Sequence, residues 1–214
     1  MDFTRQLSIF DPGNYRYESV AIVGQGSVGS FVSLVLSKMG ITNLIIYDSD
    51  KIEKHNLPNQ FFMKSHLKKK KTAAVKELLK GFTDAKVTIR NNVEKDTFIS
   101  SKIVITTTDS MSSRKLVYEM IKGKADLLID ARMGGEVFVV YTVNLKNQKA
   151  RKEYEKTLHS DEVANQQRCT ERTIIYNVMG IASIIANQLK KYLTKEKYHK
   201  QIAFDYKNVE MFKK

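Results

Sequence analysis

Three observations predict an α/β fold for this 214-residue chain: Rossmann-like, a mostly parallel sheet with helices on both faces and a mixed C-terminal part. Short apolar runs alternate with longer segments of helical spacing, as in β-α-β units. A glycine turn joins the first apolar run to the first helix. Only two prolines and ten glycines interrupt the chain, so regular elements dominate.

Residues 19–23, Ser-Val-Ala-Ile-Val, form a buried strand that ends in Gly24. From Ser27 to Met39 the apolar positions 28, 31, 32, 35 and 39 keep helical spacing, and Gly40 stops the helix. Asn43 to Tyr47 is a second strand ending at Asp48. A polar segment leads to a helix from Thr72 to Phe82. Strands over Lys86–Arg90 and Ile103–Thr107 precede a helix from Ser112 to Ile121. Strands follow at Asp126–Asp130 and, β-branched and aromatic, at Glu136–Val143. A polar helix over Arg151–Leu158, a long helix over Arg172–Leu193 and a short strand over Gln201–Tyr206 complete a single domain, 1–206. Residues 207–214 read as a frayed basic tail.

The composition is 42% apolar and 28% charged, which excludes collagen-like and wholly disordered chains. Lys and Arg number 36 against 23 Asp and Glu, a net charge of +13. Such a surplus suits an acidic partner: nucleic acid, nucleotide phosphates or an acidic protein. A single cysteine excludes an internal disulfide framework and a multi-thiolate zinc site. The first six residues lack the apolar core of a signal peptide. The longest apolar stretch, Ile174 to Leu189, is broken by Asn177, Ser183, Asn187 and Gln188, so it reads as a buried helix and not a membrane span. A reducing, cytoplasmic setting without membrane contact is expected.

Gly24-Gln25-Gly26-Ser27-Val28-Gly29 follows a strand and opens a helix, as a phosphate-binding G-x-G-x-x-G turn requires. The first glycine allows the turn, the second admits a phosphate, and the third lets helix and strand pack closely. The helix start then offers free N–H groups to an anion. Asp48, ending the second strand, stands where an acid accepts ribose hydroxyls. The motif indicates a nucleotide without choosing between NAD and ATP.

After the second strand come Asp48, Asp50, Asn56, Asn59, Gln60 and the run Lys68–Lys71. A dinucleotide-dependent oxidoreductase leaves a second carboxylate, amides and lysines there without a task. A triphosphate site uses them, for Mg²⁺, hydroxyls and phosphate charge. With Arg5-Gln6 near the start, the glycine loop, the segment Asp48 to Phe61, Lys71 with its helix and Thr108-Asp109 after a strand, the sequence resembles the ThiF/MoeB family and the ubiquitin-activating enzymes. These adenylate the C-terminal glycine of ubiquitin-like or sulfur-carrier proteins.

The resemblance implies roles residue by residue. Gly24, Gly26, Ser27 and Gly29 would wrap the ATP phosphates, Asp48 would hold the ribose, and Asn56 and Gln60 would line the pocket. Lys71, or its neighbour Lys70, would contact phosphate. Asp109, assisted by Asp50, would coordinate Mg²⁺, while Asp109 can also cap the helix that follows it. Arg5 would reach the ATP site of a second protomer, which implies a homodimer. Relatives carry arginine just before the glutamine at 60. Asn59 stands here, and Arg16, Arg114 and Arg132 are the candidates to supply that charge.

Cys169, in Arg168-Cys169-Thr170, matches a Cys-Thr pair whose cysteine takes the activated carrier as a thioester. Arg168, Arg172 and a helix start would lower its pKa. Arg132, in Asp130-Ala131-Arg132-Met133-Gly134-Gly135, sits at a strand end and reads equally as a carboxylate or phosphate ligand or as part of a turn. The expected function is ATP- and Mg²⁺-dependent adenylation of a carrier's terminal carboxylate, with thioester formation on Cys169 and a separate conjugating enzyme as a further partner. The alternatives are an inactive partner half of the same fold, a dinucleotide-dependent oxidoreductase and, on charge alone, a nucleic-acid binder.

Overall fold

The computed structural model describes residues 1–161 and 173–214. Its centre is an eight-stranded sheet of order β3-β2-β1-β4-β5-β6-β7-β8. The strands are β1 (Ser19–Val23), β2 (Asn43–Tyr47), β3 (Lys86–Arg90), β4 (Ile103–Thr106), β5 (Leu127–Gly134), β6 (Val137–Asn144), β7 (Gln201–Asp205) and β8 (Glu210–Lys213). β3 through β5 run parallel, and the pairs from β5 to β8 are antiparallel. The mixed C-terminal part predicted from sequence is this antiparallel half.

The helices are α1 (Ser27–Lys38), α2 (Lys71–Phe82), α3 (Met111–Ile121), α4 (Gln148–Glu155) and α5 (Ile175–Leu193). α1, α2 and α5 cover one face, where Val32, Leu36, Val75, Leu79, Ile181 and Ile185 pack on Ile22, Ile46, Ile105 and Ile129. α3 and α4 cover the other, where Val117, Tyr118, Ile121 and Tyr154 pack on Ala21, Val23, Val104 and Leu128. β1 is buried along Val20–Val23, which is why it reads as a continuous apolar run instead of an alternation. Each such side chain contributes about 1.5–3 kcal/mol by leaving water.

Two readings change. β5 runs on to Gly134 and turns through Gly135, at φ 55°, into β6. The segment around Arg132 is therefore strand, and its side chains alternate between faces. Residues 207–214 carry a turn and β8, whose Met211 and Phe212 pair with Phe204 and Ala203. The backbone bonds of the β7 edge secure this segment despite its polar composition. Among the described residues no helix is long and apolar enough to cross a membrane.

The parallel order 3-2-1-4-5 reverses direction between β1 and β4. In open α/β sheets the crevice at such a switch point, outside the carboxyl ends of the strands, receives the ligand.

Candidate functional site

That crevice holds a cleft of about 700 Å³, bounded by the loops after β1, β2, β4 and β5. The glycine loop forms its floor. Gly24 lies at φ 93° and donates to Tyr47 O at 2.8 Å. A Cβ on Gly29 would stand 1.9 Å from Gly24 O, so only glycine lets α1 approach the turn. A Cβ on Gly26 would meet only Gln60 Nε2, at 4.0 Å. The space over Gly26 therefore opens into the cleft. Gly26 is the N-cap and Ser27 the first residue of α1, with no side-chain cap and no acidic residue in the first turn. Its first N–H groups and the positive end of the helix dipole remain for an anion.

Two polar side chains that the motif leaves unspecified hold this loop. Gln25, wholly buried, donates to Gly24 O at 3.0 Å and accepts from Ser33 Oγ at 3.0 Å. Thr107 Oγ1 donates to Gly24 O at 2.9 Å and Val23 O at 3.1 Å. The sequence signal for Thr107 is its place after β4. Gln25 occupies a position that motif reading treats as free.

Asp48 lines the cleft and orders its rim. One oxygen accepts from Gln25 N and the other from Asp50 N, both at 2.7 Å. Each oxygen keeps a second lone pair for a hydroxyl donor. Lys71, 8% exposed, opens α2 and lines the cleft, whereas Lys70 is exposed outside it. Lys71 Nζ donates to Asp50 Oδ2 at 2.7 Å. Asn56 spends its oxygen on Glu53 N at 2.9 Å, so its amide nitrogen is what remains for a ligand. Gln60 Oε1 is buried with no hydrogen-bond partner among the described residues. Such an orphaned acceptor costs about 1–3 kcal/mol until a donor reaches it.

Across the cleft, Asp109 is exposed at the rim after β4. It does not cap α3. Ser110 is the N-cap and accepts from Ser113 N at 3.2 Å, and Asp161 Oδ1 accepts from Met111 N at 2.6 Å. Arg114, on α3, also lines the cleft. It donates to Asp130, to Ala131 O at 2.8 Å and to Thr108 O.

The other arginines lie elsewhere. Arg5 is exposed in a short turn and does not line the cleft of its own chain. Arg16 is exposed and sits 4.8 Å over Tyr17. Arg132 does not reach the crevice, because strand alternation puts it on the α4 side. There it binds Asp130 Oδ2 at 2.7 Å, Thr157 O at 2.8 Å and the Tyr141 ring. Burial disfavours its charge, yet Asp130 beside it leaves its pKa raised. Burial, then the Asp130 carboxylate, pushes the Tyr154 phenol well above its ordinary pKa. Cys169 lies outside the described residues. Thr173, where the described chain resumes, lines the cleft.

The donors and acceptors fit an adenine nucleotide: phosphate oxygens for Lys71 and the α1 N–H groups, hydroxyl donors for Asp48 and Gln60. Among the described residues no three His, Cys, Asp or Glu side chains gather into a metal cage. Asp109 offers one carboxylate, and the Asp50 carboxylate is engaged by Lys71. Mg²⁺ beside a nucleotide needs only one or two carboxylates, with phosphate oxygens and water completing its shell. The residues fit that mode.

The sequence pattern of the ThiF family matches residues 6–213. The chain belongs to the ThiF family. Ubiquitin-like modifier-activating enzyme 5 of Drosophila melanogaster is 39% identical over 74 residues, 35% of this chain and 18% of that protein. Its Dictyostelium discoideum counterpart is 39% identical over 66 residues, 31% of this chain and 17% of that protein. The matched segment thus spans under a fifth of these relatives. Escherichia coli MccB with MccA-N7isoASN superposes with a TM-score of 0.75 at 19% identity, covering 95% of this chain and 66% of MccB. MccB with ATP gives 0.74 at 19%, covering 95% and 65%. PaaA gives 0.73 at 17%, covering 95% and 65%. At these identities the structural likeness is one of fold. The ThiF-family fold accounts for the parallel half and the antiparallel half of the sheet together.

Proposed function

We propose that this ThiF-family chain is an ATP-dependent adenylating enzyme acting on the C-terminal carboxylate of a ubiquitin-like or sulfur-carrier protein. The observation that carries the reading is the single cleft shared by the glycine loop, Asp48, Asn56, Gln60, Lys71 and Asp109. The names of the relatives, which are modifier-activating enzymes, and the MccB structure with ATP support it.

The carrier carboxylate attacks the α-phosphate of ATP. An acyl-adenylate forms and pyrophosphate leaves. The reaction needs little proton transfer, so positioning and charge neutralisation supply most of the rate. The floor over Gly26 seats phosphate, Lys71 neutralises it, and Asp48 and Gln60 orient the nucleoside. Asp109, with Asp50, would hold Mg²⁺, which when bound would offset the negative charge of the triphosphate. Arg5 acts on the site of a second protomer in a homodimer. Cys169, the one cysteine of the sequence, then attacks the adenylate carbonyl, releasing AMP and leaving the carrier as a thioester for a separate conjugating enzyme.

ATP–pyrophosphate exchange with carriers ending in Gly-Gly tests the reading. Exchange lost in Asp109→Ala and kept in Cys169→Ala is the expected result, with a thiol-sensitive carrier adduct only when Cys169 is present. ATP binding without exchange for any carrier favours the inactive partner half instead, for which Asn59 in place of an arginine is the supporting residue.

A further inference from the structure

The cleft has a second buried cation besides Lys71, and its charge is not fully answered among the described residues. Arg114 is 4% exposed, and its guanidinium is fixed by Asp130, Ala131 O and Thr108 O. Those bonds use three of the five N–H groups a guanidinium carries. The remaining two have no acceptor among the described residues, on a side chain that lines the cleft.

The charge count points the same way. Asp130, wholly buried, is shared by Arg114 and Arg132. Two arginines against one carboxylate leave one positive charge in excess, and among the described residues no second carboxylate pairs with either arginine. Tyr154 donates to Asp130 Oδ2 at 3.1 Å and brings no charge. Arg132 also makes three bonds, to Asp130 and Thr157, but it lies outside the cleft that Arg114 lines. The surplus is therefore presented by Arg114, beside Thr108, Ala131 and Met133 on the β4–β5 wall. An arginine immobilised before a ligand arrives loses little freedom on binding it, and a guanidinium edge with two free N–H groups suits the two oxygens of a carboxylate or phosphate.

We propose that Arg114 binds an oxyanion of the substrates on this wall, opposite Lys71. The anion comes from the carrier's terminal carboxylate or the nucleotide's α-phosphate. The proposal rests on the adenylation reading and adds a binding residue to it.

The test compares wild type with Arg114→Lys, which keeps the charge against Asp130 but lacks the fork. A second variant, Arg114→Gln, removes the excess charge and leaves Asp130 paired with Arg132 and Tyr154. Calorimetric binding of AMP and adenosine, without carrier, isolates the phosphate. The carrier KM in pyrophosphate exchange isolates the carboxylate. A loss of about tenfold is expected for the ligand that bears the anion, with adenosine affinity unchanged and Tm lowered by the lost Arg114 hydrogen bonds. A loss confined to AMP identifies the α-phosphate, and a raised carrier KM with unchanged AMP affinity identifies the carboxylate. Unchanged values for both in either folded variant overturn the proposal alone. A wild-type protein that binds neither ATP nor any carrier overturns the adenylation reading and this proposal together.

Discussion

Lys71 Nζ donates to Asp50 Oδ2 at 2.7 Å at the edge of the cleft, joining the start of α2 to the loop after β2. The Asp50 side chain is 64% exposed, while that of Lys71 is 10% exposed. A carboxylate that holds this ammonium competes with phosphate for it. Without Mg²⁺, Asp50→Asn is expected to bind ATP more tightly than wild type, and Lys71→Ala about tenfold more weakly. Adding Mg²⁺ is expected to reverse the Asp50→Asn advantage, because the metal gains from the second carboxylate. A titration with a fluorescent ATP analogue, with and without Mg²⁺, reads both effects. An Asp50→Asn variant that matches wild type in both buffers removes Asp50 from the site.

Gly29 and Gly26 separate packing from binding. A Cβ on Gly29 meets Gly24 O at 1.9 Å, a backbone atom that cannot step aside. Gly29→Ala is expected to cost about 3 kcal/mol or more, since helix and turn must move apart. A Cβ on Gly26 meets only Gln60 Nε2 at 4.0 Å. Gly26→Ala is expected to cost about 1 kcal/mol or less, yet to fill the space a phosphate needs. Thermal melts with and without ATP distinguish them: a lowered baseline Tm for Gly29→Ala, and a near-normal Tm that ATP no longer raises for Gly26→Ala.

Gln25 is the cleft's least conspicuous support. Its buried amide ties Gly24 O to Ser33 on α1. Gln25→Leu keeps the volume and leaves Ser33 without its acceptor. A loss of about 1–3 kcal/mol is expected in urea denaturation, with ATP affinity falling in parallel because the loop loses its brace. Unchanged stability would mean that Thr107 alone fixes the loop.

The parallel half of the fold was legible because its elements are local. β1, β2 and β3 are short apolar or β-branched runs, and the spacing of Val28, Val32 and Leu36 gives α1 its buried stripe. Part of the cleft was legible for the same reason, since residues 24–27, 48–50 and 107–109 directly follow β1, β2 and β4. What stayed hidden depends on partners distant in sequence. Arg132 read equally as a strand-end ligand or part of a turn until the length of β5 set its face. Arg114 was one of three interchangeable arginines until Asp130, Thr108 and Ala131 fixed its position. β8 gave no signal, because an exposed, polar strand is defined by the edge it pairs with. Asp109, read as a Mg²⁺ ligand that could also cap α3, does not cap it; the cap came from Ser110 and from Asp161, far along the chain.

The Tyr154–Asp130 contact sets an alkaline limit on stability. Tyr154 is 3% exposed and its hydroxyl donates to Asp130 Oδ2 at 3.1 Å. Burial first, then the carboxylate, raise its pKa well above 10.0. The folded state therefore keeps the proton while the unfolded chain releases it near pH 10. A raised folded pKa gives stability that is complete below the unfolded value and is lost as pH rises beyond it. Stability is expected to fall above about pH 10, with this one tyrosine contributing about 1.4 kcal/mol per pH unit until the folded phenol ionises. Tyr154→Phe removes that contribution, at the cost of about 1 kcal/mol at neutral pH for the lost hydrogen bond. Urea denaturation from pH 7 to 11 should show the variant less stable at pH 7 and the two curves converging as pH rises. Parallel curves would place the alkaline sensitivity in other buried tyrosines, of which Tyr118, held to Glu155 at 2.7 Å, is the next to replace.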